Sequence, residues 1–185
     1  MNELYISRTG SIGTQNLMAK ATKSAEFTIR DHVYRFLGDA LIDEYEKAIE
    51  ELIKLISGVT VDTFTIILDE DTDNPDCKSI ETISNHVISA GFHYLELISR
   101  GTNVPVKIKP DVIISPQSVI TELRKLLNTS EKYFNQLSND MDEDQVLEFP
   151  IKSGWGELYA ELIIEHAIVH ILRHRRQIQK FLLKL

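Results

Sequence analysis

Three of the six histidines fall within nine residues near the carboxyl end, in Glu165-His166-Ala167-Ile168-Val169-His170-Ile171-Leu172-Arg173-His174-Arg175-Arg176-Gln177. On a helix turning about 100° per residue, His170 and His174 share an arc with Tyr159, Ile163, Ala167, Ile171, Gln177, Ile178 and Phe181. Glu157, Glu161, Glu165, Arg173, Arg175, Arg176 and Lys180 fall outside that arc. Side chains four residues apart are neighbours, so two imidazoles can converge there on one metal ion.

Two ligands are too few for a tight site, and a third must come from a facing helix. His86 is the best placed, beside Ile83 and Ala90 on a second periodic segment, with His93 in reserve two turns on. Neutral imidazole suits zinc, nickel, copper or iron. None of the six histidines has a glutamate three positions before it, which argues against a carboxylate-bridged di-iron bundle. Histidines on an apolar face are also often hydrogen-bonded core residues, and that reading stands beside the metal one. His166 lies at the edge of the inward arc, where it serves a ligand from behind or merely packs between helices. The basic run Arg173 to Arg176 has its own plain explanation as a complement to the helix dipole and to bundle carboxylates.

The elements that must hold these residues are helical. Thr28 and Asp31 resemble a capping box that opens a helix ending at Gly58. Its inner side carries Leu41, Ile42, Tyr45, Ile49, Leu52, Ile53 and Ile56. Ser79 caps a second helix that runs to Arg100 and stops at Gly101, with Ile80, Ile83, Val87, Ala90, Tyr94 and Leu97 as its apolar stripe. Ser115-Pro116 opens a third, ending near Asn139. A polar loop from Asp140 to Gly154 leads to the last helix, from Trp155 to about Lys184. Val59 to Leu68 is β-branched but has no evident partner strand, and it reads as ordered loop. Four helices without a dependable strand pattern predict an all-α four-helix bundle over residues 28–185, preceded by an arm over residues 1–27.

Asp69, Asp71 and Asp73 mimic the start of a calcium loop, but Asn74 stands at the glycine position and Ile80 at the bidentate glutamate, so a solvated loop is expected. The 185 residues carry 20 Lys plus Arg against 28 Asp plus Glu, a net charge of -8. That charge weighs against a nucleic-acid or anionic-membrane partner. Cys77 is the only cysteine, which removes internal disulfides and thiolate metal cages. With no apolar stretch of spanning length, the expected location is the cytoplasm.

The residues Ser84-Asn85-His86-Val87 and His170-Ile-Leu-Arg-His174-Arg175-Arg176-Gln177 resemble the DinB/YfiT-like superfamily. Its four-helix bundle has a histidine in helix 2 and a His-x-x-x-His pair in helix 4, usually continued as His-Arg-Gly-Gln. The resemblance covers roughly residues 38–185, and Arg176 stands where the family usually has glycine. It implies a divalent metal, zinc or nickel, on His86, His170 and His174, with positions left open to water, and homodimers. It further implies a metal-dependent transferase or isomerase that uses a low-molecular-weight thiol such as bacillithiol, mycothiol or glutathione. His93, His166 and Gln177 are then the supporting shell. The competing expectation is a binding or stress-response bundle whose metal is structural or absent.

Overall fold

A computed structural model describes residues 37–108, 110–111, 113, 115–141 and 150–185. The expected arm over residues 1–27 and the helix start near Thr28 lie outside them. Four long helices dominate: α1 (Leu37–Ile56), α3 (Ile80–Thr102), α4 (Pro116–Asp140) and α5 (Ala160–Leu182). A one-turn helix α2 (Val61–Thr65) and a 3-10 turn (Pro75–Cys77) lie between α1 and α3, and a hairpin of β1 (Ile151–Ser153) and β2 (Gly156–Leu158) precedes α5. The architecture is all-α apart from this hairpin. No helix among the described residues is long and apolar enough to cross a membrane.

The helix starts follow local chemistry. Ser79 Oγ accepts the Thr82 N–H at 3.1 Å while Thr82 Oγ1 accepts the Ser79 N–H at 3.0 Å, a reciprocal cap that satisfies two otherwise orphaned donors. Ser115 and Ser118 repeat the arrangement at 3.2 and 3.0 Å, with Pro116 at the first helical position where no N–H is needed. At the far end of α3, Asn103 takes the left-handed conformation with φ 58°, which asparagine tolerates better than most residues.

Helices α1 and α3 each pack against both α4 and α5. Ile49, Leu52 and Ile56 of α1, Ile83 and Ile98 of α3, Leu123 and Leu126 of α4, and Ile163 and Ile178 of α5 belong to one buried cluster. Each such side chain removed from water contributes about 1.5–3 kcal/mol before chain entropy is charged against it. The described helices therefore hold their positions chiefly through these apolar faces.

Four sequence expectations change. Val59 to Leu68 contains a helical turn, because Thr60 Oγ1 accepts the Thr63 N–H at 3.2 Å and Phe64 drops into the core, and these local gains outweigh the β-branched propensity. Gly101 does not stop α3, which runs on to Thr102. A Cβ on Gly101 would stand 2.4 Å from Ile151 Cγ1, so this glycine is the seat of the hairpin's buried isoleucine. The supposed loop before the last helix holds the hairpin, in register Ile151 with Leu158 and Ser153 with Gly156. Ser153 Oγ accepts the Trp155 N–H at 3.1 Å and donates to Gly156 O at 2.9 Å, and Gly156 has φ 108°, a conformation open chiefly to glycine. Consequently α5 begins at Ala160; Trp155 lies in the hairpin turn, and Tyr159, expected on the inward arc, is the exposed residue that precedes the helix.

Candidate metal centre

α5 and α3 bring His170, His174 and His86 together across the interior. Their ring centroids are 4.5 Å apart for His170 and His174, 4.8 Å for His86 and His170, and 4.9 Å for His86 and His174. One nitrogen from each ring lies within 4.8 Å of the other two. His174 is buried and the other two are half-buried.

Polar contacts behind two of the rings orient them. Gln177 Nε2 donates to the Cys77 carbonyl at 3.4 Å, so the amide presents Oε1 to His174 Nδ1 at 3.1 Å. An amide oxygen only accepts, hence Nδ1 carries the His174 proton and Nε2 keeps its lone pair. His86 Nδ1 lies 3.3 Å from Asp76 Oδ2, a contact that turns Nδ1 toward the carboxylate and Nε2 toward the other rings. His86 Nε2 is 2.9 Å from His170 Nε2. That separation suits either one shared proton or two ligands of one ion.

Electrostatics point the same way. Burial, then the neighbouring His174 and His86, push the His170 pKa down to about 3. Burial, then His86, push that of His174 down to about 4, against the opposing bond from Gln177. Arg173 adds to the depression of both. Both rings are therefore neutral at pH 7, the form that ligates.

The donor set fits a divalent ion of the zinc or nickel kind. At metal–nitrogen bonds of about 2.0–2.1 Å, nitrogens 2.9 Å apart subtend about 90°, an ordinary angle between adjacent ligands. Nitrogens on opposite sides of one ion reach about 4.1 Å and tetrahedral neighbours about 3.3 Å, so a pair at the 4.8 Å limit must draw in by about 0.7 to 1.5 Å. Carboxylate and amide partners behind ligating imidazoles are what metal centres use to orient them.

The remaining named residues are placed differently. Gln177 stands behind His174, as its position in the motif suggested. His166 is exposed, with its ring stacked at 6.1 Å from His170 and tilted at 5.0 Å from Trp155. His93 is exposed and its nearest ring is Tyr94 at 6.4 Å, outside the cluster. A rise of about 1.5 Å per residue carries it some two turns beyond His86. Two residues escaped the sequence reading. Asp76, on the 3-10 turn, belonged to a run read as solvated loop, and no periodicity links it to His86 ten residues later. Tyr94, read as core only, meets His170 edge-on at 5.9 Å and His166 at 5.5 Å.

The sequence matches no family model and no curated protein. Among solved structures, a conserved protein from Enterococcus faecalis is similar over 79% of this chain and 95% of its own, at 12% identity and a TM-score of 0.49.

Proposed function

We propose that this chain is a DinB/YfiT-type four-helix bundle that holds a divalent metal ion, zinc or nickel, on His86, His170 and His174, and acts as a thiol-dependent transferase or isomerase. The observation that carries the proposal is the convergence of three imidazoles from two helices, one nitrogen of each within 4.8 Å of the other two, with Asp76 and Gln177 standing behind His86 and His174. A divalent cation is what such a set of nitrogen donors suits. When bound, such an ion lowers the pKa of a thiol or water that it holds and supplies a nucleophile near neutral pH. Asp76 orients the His86 ring, and Gln177 fixes both the tautomer and the tilt of His174. Tyr94, His166 and Trp155 form an aromatic wall beside His170.

The test is elemental analysis of tag-free wild type beside His170→Ala, followed by a panel of small thiols with a chromogenic electrophile. One equivalent of zinc or nickel, lost in the variant, is expected, together with turnover abolished by His174→Ala. Equal metal content in the two proteins contradicts the site, and equal turnover contradicts the chemistry.

A second reading rests on the 2.9 Å contact between His86 and His170, which is also a good hydrogen bond. On that reading the cluster is a polar core of a binding or stress-response bundle, and purified protein carries no stoichiometric metal. The resemblance also bears on setting and assembly: a cytoplasmic homodimer is part of the proposal. Leu162, Val169 and Leu172, exposed at helical spacing along α5, offer such a dimer an apolar face.

A further inference from the structure

A concavity of about 400 Å³ lies next to the histidine cluster, and Gln177 is a wall of it while bonding His174. Across it, Arg173, Arg176 and Lys180 of α5 face Thr72 and Asn74 of the loop before the 3-10 turn. Residues spaced by three and seven fall within about 60° of one another on a helix, so the three cations form one strip.

None of the three lies within 4.0 Å of a carboxylate of the described residues, although the chain carries eight more acidic than basic groups. Arg175, on the same helix but outside this pocket, does pair, with Glu51. Asp71 and Asp73 flank Thr72 in the chain, yet neither lines the pocket. The helix dipole does not account for the strip either. Its influence fades within the last turn, which holds Lys180 alone, whereas Arg173 and Arg176 stand further back. Three cations lining one concavity beside the histidine cluster leave a positive region for something else to balance. Guanidinium groups bind carboxylate and phosphate oxygens through two parallel hydrogen bonds, and an ammonium adds a point charge.

We propose that this pocket binds the doubly charged oxyanionic end, phosphate or paired carboxylates, of the small molecule that reacts at the three-histidine centre. The binding half stands on the pocket alone, and the reacting half rests on the function proposed above. Arg176, at the position where the resemblance leads one to expect glycine, supplies a cation that glycine could not, and the pocket gives that departure a use.

Calorimetry on the full chain at matched ionic strength tests both halves. Inorganic phosphate or succinate should bind at least tenfold more tightly than acetate, and the preference between the first two tells a phosphate ester from a dicarboxylate. The double variant R173Q/R176Q should lose that binding at least tenfold, while Lys152→Gln, which removes one charge from an exposed site elsewhere, should stay within twofold. Equal affinity for acetate, or an unchanged double variant, overturns the oxyanion site. With zinc restored to stripped protein, mercaptosuccinate should exceed succinate by at least tenfold, and His170→Ala should erase the gain. Zinc uptake without that gain overturns the link between pocket and centre. Failure of zinc to bind overturns the function proposed for the centre, and the reacting half with it, and is read separately from the anion arms.

Discussion

Among the polar groups that interrupt the apolar interior of the described residues, those at Glu122 and at His174 contrast most in how they are paired. Glu122 on α4 is 2% exposed, yet its carboxylate accepts the Asp111 N–H at 3.0 Å and the Lys125 ammonium at 3.2 Å. Lys125 also reaches Asp111 at 2.8 Å. Every strong demand of that buried carboxylate is met from within the chain. The histidine cluster is as enclosed at His174 but differs in kind: Gln177 and Asp76 stand behind two of its rings, and a nitrogen of each of the three turns toward the same point, with one contact of hydrogen-bond length among them, His86 to His170. Burial of a polar group is thus no mark of a functional site; several lone-pair donors held toward one point from behind is a stronger one.

The comparison breaks most visibly at the ligands. His174→Ala should reduce zinc affinity at least 100-fold while leaving the far-UV circular dichroism unchanged, and titration with a competing chelator reads the change. Gln177→Leu and Asp76→Asn release the outer nitrogens without touching a ligand, and supporting groups of this kind are worth about 10- to 100-fold in metal affinity. The same titration should place both variants between wild type and His174→Ala. Glu122→Ala is the counterpart on the closed cluster. It should cost about 2 kcal/mol of stability in urea unfolding, the range for a lost charged hydrogen bond that strands its partners, with metal affinity unchanged.

The metal-free protein should also show a pH dependence. Unfolded histidines protonate near pH 6.5, whereas folded His174 and His170 do so only at about 4 and about 3. Between those limits the unfolded chain binds more protons, so stability should fall as pH drops below about 6.5 and level off once the folded rings also protonate. Urea midpoints from pH 7 to pH 4 measure it, and the slope should vanish in the variant H170A/H174A.

What could be read from the chain in advance depended on the range of the signal. The caps at Ser79 and Ser115 are encoded within four residues, and the structure has both. The pairing of His170 with His174 is likewise a matter of helical spacing. The hairpin escaped because strands of three residues are too short to show alternation, and Trp155 and Tyr159 were absorbed into the helix beyond them. Gly101 looked like a stop because glycine ends helices more often than it seats a neighbour; Ile151, fifty residues away, decides otherwise. Asp76 could not be found by periodicity, since its meeting with His86 depends on a turn outside any regular element.

That seat at Gly101 reaches further than its own packing. Ile151 is 2% exposed and fills the notch, and the strand it anchors carries the turn whose Trp155 lies against His166. The ring contact beside the histidines therefore depends on a side chain with no polar atom. A methyl group added at Gly101 would unseat Ile151 and, through the hairpin, shift Trp155 against His166 by a substitution that alters no charge and touches no ring.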